Sequence, residues 1–190
     1  MPRSALYDVN EVLEQAIDVF LEHGFHGAVM DEIIARTDFN RRGFYLEFGS
    51  KQQFLYKVLE HYQDNHLKFV LESLEQPIGI QAIHQFFDRY LSLINGRGCL
   101  LINCITELGH DDPVIKDMGR HYLDRLQIDF IGTLERAVNS HEISRETSIE
   151  AVALQLTSYV QGFAVNAILT QDNQELTIAT QTLLGTVKRI

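Results

Sequence analysis

The chain has 190 residues, 45% of them hydrophobic and only three of them proline, which is enough to bury a sizeable core in long helices and excludes general disorder. Its 26 acidic against 16 basic residues give a formal net charge of −10, which excludes a general nucleic-acid binder held by phosphate attraction over its whole surface. A locally basic reading head on an acidic body remains compatible with that balance.

Apolar residues recur at helical spacing almost throughout and period-two alternation is scarce, so the expected fold class is all-α, with about nine helices. Leu13, Ala16, Ile17 and Phe20 mark one stripe of a first helix, which Gly24 is placed to end as a left-handed cap. Met30 to Thr37 reads as a short second helix carrying Ile33 and Ile34 inward. The third begins at Asn40, whose side-chain oxygen can take a free backbone N–H, and Phe39 and Phe44 are spaced as a hydrophobic staple. Ser50-Lys51-Gln52-Gln53 matches a capping box and opens a long fourth helix, with Phe54, Leu55, Val58, Leu59 and Tyr62 on its apolar side.

The chain breaks around Pro77 and Gly79, and a fifth helix follows from Ile80 to Ile94 and a sixth from Gly98 to Leu108. Asp112-Pro113 is a cap with proline at the first helical position, so a seventh helix should run to about Val138, striped by Ile115, Met118, Tyr122, Leu126, Phe130 and Leu134. Thr147-Ser148-Ile149-Glu150 reads as another capping box, opening an eighth helix to about Leu169, and the ninth covers about Gln174 to Val187. No stretch approaches ~18 uninterrupted apolar residues, and Met1-Pro2-Arg3-Ser4 lacks the apolar core of a signal peptide. A cytoplasmic protein with no membrane partner is expected.

Three short helices joined by a tight connection at Thr37-Asp38-Phe39-Asn40 have the dimensions of a helix-turn-helix, whose second helix enters the major groove with its N-terminal residues leading. That helix is Asn40 to Phe48. Arg41 and Arg42 sit where guanidinium groups reach base edges or phosphates, and Tyr45 lies one turn on, where a phenol can bond a phosphate. Lys51 and the free N–H groups opening helix four form a further anion site, and Arg36 and Asn40 complete the candidate DNA contacts. The expected division is a DNA-binding domain over 1–50 and a ligand-binding and dimerisation domain over 51–190, linked by helix four.

The segment from Leu13 to Leu59 resembles the TetR/AcrR family of transcriptional regulators, on Gly24-Phe25, Met30-Asp31-Glu32-Ile33, Gly43-Phe44-Tyr45, Phe48-Gly49-Ser50-Lys51 and Phe54-Leu55. Further on, Gly98-Cys99-Leu100-Leu101, Asn103, Glu107 and Asp112-Pro113-Val114 resemble one subset of that family's ligand domains. The resemblance implies a homodimer that binds a near-palindromic double-stranded DNA operator and responds to a small-molecule effector, with no cofactor. Four positions depart from the family pattern. Ala28 stands where a threonine usually caps helix two, Asp38 where the turn usually has glycine, and Leu46-Glu47 where a tyrosine-histidine pair is common. Residues 1–56 also carry five basic residues (Arg3, Arg36, Arg41, Arg42, Lys51) against nine acidic ones, a head charge of −4. Either the carboxylates lie away from phosphate, or Glu47 and Asp38 face DNA and weaken binding; the second case describes a ligand-binding helical dimer whose DNA head has decayed.

In the second domain, Phe86, Tyr90, Tyr122, Tyr159 and Phe163 are candidate walls of an apolar effector cavity, and Asn103, Glu107, His121, Tyr122 and Asn166 its candidate polar groups, although aromatic residues at this spacing also build plain core. Leu156, Val160, Gly162, Ala167, Ala179, Leu183 and Val187 on the last two helices form the candidate dimer stripe, paired into a four-helix bundle about a twofold axis. Cys99 follows Arg97-Gly98 at a helix start, where a cation and the helix dipole would favour a thiolate and a redox sensor; alternatively, Cys99 and Cys104 are small buried hydrophobes. The histidine spacings give no convincing metal site, and no nucleophile elbow, phosphate-binding glycine loop or dinucleotide fingerprint is present in the sequence, so catalysis has no support.

Overall fold

Helical periodicity without alternation leads to a structure with no strand among the described residues. A computed structural model describes residues 7–75, 79–170 and 174–187. α1 spans Val9–Gly27, α2 Met30–Arg36 and α3 Arg41–Phe48. α4, Lys51–Tyr62, continues through a π turn, Gln63–Leu67, an α turn, Lys68–Leu71, and a 3₁₀ turn, Glu72–Glu75. α5 is Gly79–Ile94, α6 Leu100–Leu108, α7 Pro113–Asn139, α8 Ile149–Leu169 and α9 Gln174–Val187.

The head is organised by phenylalanine. Phe44 and Phe48 point inward from α3 and meet Phe54 of α4 at ring-centroid distances of 4.8 and 4.6 Å. Phe39 and Phe44 form the expected staple, edge to face at 6.3 Å. Asn40 caps α3 through its Oδ1, which accepts from the Gly43 N–H at 2.7 Å. Phe54 near the start of α4 packs on Phe20, Phe44 and Phe48, while Tyr62 at its end reaches Cys99 before α6, so this helix runs through one continuous core from the first three helices into the rest of the chain. In the body, Phe86 and Phe87 of α5 pack on Phe130 of α7, and Phe87 on Phe163 of α8.

Several local expectations change in detail. Gly24 has the left-handed backbone, φ +66°, yet α1 does not stop there, because one more helical turn follows the kink. α2 is capped at Val29, not Ala28, and neither side chain can accept a hydrogen bond. Asp38 does adopt positive φ, +49°, in the turn that a glycine would fill without strain. The box at Thr147-Ser148 does not form: Ser148 is the N-cap without a side-chain bond, and the buried Thr147 hydroxyl has no partner. The expected break at Pro77 lies outside the described residues.

The Gly24 backbone, φ +66° with ψ −178°, belongs to a region open essentially to glycine alone. A Cβ there would also stand 2.9 Å from Glu107 Oε2. Gly24→Ala is therefore expected to cost about 2 kcal/mol and to lower Tm by about 5 °C in a thermal melt. An unchanged Tm would show that the kink is not required.

Candidate nucleic-acid interface and its joint to the body

Burying Phe44 and Phe48 fixes the rotation of α3, so Arg41, Arg42, Tyr45 and Leu46 face outward. Arg42 is exposed and has no ion pair or hydrogen bond among the described residues. The Arg41 guanidinium donates to Asp31 of α2, so it must exchange that carboxylate for any other acceptor. Arg36 is turned to Glu22 of α1 at 3.0 Å. Lys51 is half-buried with its Nζ 4.6 Å over the Phe25 ring, and burial lowers its pKa. Lys51 thus stands against Phe25 at the start of α4, off the open face of α3. Leu46 is 79% exposed beside Arg42 and Tyr45. An apolar side chain at that place can meet a thymine methyl, a role the sequence reading passed over because it attended to charge.

Glu47 is turned back toward α1, where it accepts from Tyr7 Oη at 2.9 Å; that bond raises the Tyr7 pKa. Its carboxylate is thereby engaged at the start of α1. Asp31, on the other hand, reaches the reading face through its pair with Arg41.

Head and body are joined at three places around α6. Before it, Arg97 donates to Asp18 of α1. Within it, Glu107 accepts from the backbone N–H groups of Phe25 and His26, both at 2.8 Å, which are the free donors of the turn after the Gly24 kink. After it, Asp112 caps α7 through the Val114 and Ile115 N–H groups and also accepts from Tyr56 Oη, at 2.7 Å, and Gln52 of α4. Glu107 was expected in the effector cavity; the structure places it instead at the head, because the donors that satisfy it are about 80 residues away and invisible to local spacing. A further bridge joins Glu14 of α1 to His61 of α4 and His66 of the π turn, each at 2.9 Å.

Burial raises the Asp112 carboxyl, but hydrogen bonds from Tyr56, the Ile115 N–H, Gln52 and the Val114 N–H outweigh it, and the group ends below its ordinary value. A depressed folded pKa contributes stability that is full above the unfolded pKa of about 3.9 and is lost as pH falls through the folded value. Wild-type Tm should therefore drop below about pH 4, and the part due to this group should vanish in Asp112→Asn. An identical acid limb in the variant would assign the effect elsewhere.

Inside the body the structure brings together Phe86, Tyr90 and Tyr122 of the expected cavity residues and adds Tyr62 and Cys99. Tyr62 was missed because in sequence it is one more core position of α4. The other expected cavity residues lie outside this buried cluster. Asn103 donates to the Arg97 carbonyl at 3.2 Å, His121 is on the surface, Phe163 packs on Phe87, and Tyr159 and Asn166 line a shallow groove on the outer side of α8. Cys99 is fully buried and burial pushes its thiol pKa up, while Cys104 is pushed up to about 12. The cation that would favour a thiolate is turned away, because the Arg97 guanidinium donates to Asp18.

The dimer stripe also falls differently. Leu156, Val160, Ala167 and Leu183 are buried in their own subunit, and Ala179 is half-buried. Only Gly162 of that set is exposed, and the side chain of Val187 lies outside the described residues. α8 is apolar on two sides, so periodicity could not say which side its own core takes. The side left outward carries Leu154, Val165, Ile168 and Leu169, with Ile178 exposed on α9.

Residues 12–58 match the family described as bacterial regulatory proteins of the tetR family, and residues 79–183 match the tetracyclin repressor-like C-terminal domain. Relatives include an uncharacterized HTH-type transcriptional regulator, YezE, of Bacillus subtilis, 26% identical over 93% of this chain and 94% of its own length. Another is the HTH-type transcriptional repressor DhaR of Mycobacterium sp. strain GP1, 24% identical over 94% of this chain and 93% of its own length. Among solved structures, a cysteine mutant of the TetR family regulator CifR complexed with 26-base-pair operator DNA superposes with a TM-score of 0.84 at 19% identity, covering 96% of this chain and 98% of that one. With both halves of the chain matched in order, and the C-terminal match alone spanning more than half of it, the chain belongs to the TetR family of bacterial regulatory proteins.

Proposed function

We propose that the chain is a cytoplasmic, non-enzymatic transcriptional repressor that grips a near-palindromic operator as a homodimer and lets go when a small molecule binds its helical body. The observation that carries this reading is α3: two buried phenylalanines and the Asn40 cap hold Arg42 and Tyr45 outward at the leading end of a helix of groove-reading size. DhaR is a repressor and CifR has been captured on operator DNA, which supports the same role here.

A second copy is required because two reading helices must enter successive major grooves ~34 to 36 Å apart. The outward apolar side of α8 is the surface proposed for it. Gly162 and Gly185 meet nothing within 4 Å of an added Cβ, so they leave room for a close helix approach. One side of α8 in its own core and the other in a partner also accounts for a helix long and apolar enough, by length and composition, to cross a membrane.

Release follows from the three ties around α6. A ligand that displaces α6 or α7 pulls on α1 through Asp18 and Glu107 and on α4 through Asp112, and so changes the spacing of the heads. A hundredfold discrimination between two spacings needs only ~2.7 kcal/mol of coupling. The test is anisotropy titration of DNA fragments from beside the chain's own gene at several salt concentrations. Specific binding whose logarithm falls linearly with that of salt is expected. The net charge of −4 over residues 1–56 favours one competing reading, a ligand-binding dimer with a decayed head; absence of specific binding even at low salt would establish it.

A further inference from the structure

The outward side of α3 carries an apolar group that the fold does not use. An α-helix turns by about 100° per residue, so Leu46 stands about 160° from both Phe44 and Phe48, the two residues that α3 buries. Leu46 is accordingly 79% exposed, more than any other large hydrophobic residue among those described. A single exposed leucine is ordinary on a protein surface. This one stands on the side of α3 that faces away from the protein, where a bound partner would meet it.

Its neighbours define what can cover it. Arg42, one turn earlier on the same side, is exposed and unpaired among the described residues, and Tyr45 is half-exposed. Gly43, also one turn earlier, puts no side chain in the way. The Glu47 carboxylate, which would repel a phosphate, is turned back to Tyr7 Oη. Leu46 also borders a groove with Val9 and Leu13 of α1 and Gln53 and Lys57 of α4, so an apolar protein side chain is the competing occupant. The free guanidinium beside it favours DNA. On the major-groove edges of an unmodified duplex the one apolar group is the C5 methyl of thymine, and a leucine side chain, with neither donor nor acceptor, can read nothing else there.

We propose that Leu46 is a specificity-determining residue that packs on the C5 methyl of a thymine in each operator half-site, within about two base pairs of the base that Arg42 contacts. The spacing follows from the helix, because four residues advance about 6 Å along its axis and successive base pairs lie about 3.4 Å apart. The inference rests on the repressor reading above and adds to it what the half-site must contain. Bound to DNA, the leucine loses water against the methyl, a gain that is absent where the base is cytosine or a purine at that place.

The test is anisotropy titration of the full chain with the duplex from beside its own gene that wild type binds most tightly, its thymines replaced by deoxyuridine one symmetric pair at a time. Deoxyuridine keeps every hydrogen-bonding group of thymine and lacks only the methyl. One symmetric pair is expected to weaken wild type about fifteenfold, or about fourfold for each methyl withdrawn. Leu46→Ala should bind the unmodified duplex at least as weakly as that, and the same replacement should then change its affinity by less than about twofold. Because the methyl is removed from the DNA, a folding defect in the variant cannot imitate this loss of sensitivity. The proposal is overturned if no deoxyuridine pair weakens wild type, which gives Leu46 to the groove beside α1 instead, or if Leu46→Ala keeps the full sensitivity. If no duplex is bound specifically, the repressor reading fails and this inference with it; specific binding that is blind to the methyl sinks this inference alone.

Discussion

Arg42→Ala is expected to lower operator affinity about a hundredfold while leaving the dimer and its effector response in place. Each guanidinium that reads a guanine edge is worth at least ~1.4 kcal/mol of discrimination, and a twofold assembly presents it twice, giving ~2.8 kcal/mol. Arg42 is the residue to test because it is exposed and unpaired among the described residues, whereas Arg41 is held by Asp31 and Arg36 by Glu22. Removing Arg41 costs less, since the free state already has a partner for it. Anisotropy with the operator fragment gives the affinity and sedimentation gives the mass. If Arg42→Ala binds as wild type does, α3 is not the reading helix; if it loses the dimer, the division of labour between head and body is wrong.

Val165→Glu is expected to give a folded monomer that no longer holds the operator. Val165 is 44% exposed in the subunit, so a carboxylate there is hydrated and the isolated fold tolerates it. In the proposed dimer it is desolvated next to its twofold mate, at the centre of the stripe formed by Leu154, Val165 and Leu169. An unpaired buried charge costs ~3 to 5 kcal/mol, which weakens the dimer by roughly a thousandfold. Helicity should be unchanged and the sedimenting mass halved at micromolar concentration. A variant that remains dimeric with full operator affinity would move the interface off this face.

The head was legible in the sequence because its signals are local. Asn40 and Ser50 cap helices three residues ahead of them, and the phenylalanines at 39, 44, 48 and 54 sit at spacings that bring their rings together as soon as the helices form. The body was legible as elements but not as a site. Glu107 looks like a cavity carboxylate until Phe25 and His26 are seen to present their amides to it. Cys99 looks activated until Arg97 is seen to turn away. α8 offers two apolar sides, and only packing against α7 and α5 decides that Leu156 and Val160 go in while Leu154 and Val165 stay out. The π turn in α4 has no composition signal at all; it records how an already buried rod adjusts to its neighbours.

The grip of Glu107 on the amides of Phe25 and His26 sets a condition on transplanting specificity. A chimera that takes another member's reading head and this body inherits a working hinge only if the donor's first helix breaks on a glycine that bares two amides at the same height. Where it does not, the carboxylate is left without its two donors, and the hybrid should still read its new sequence yet fail to hear its effector.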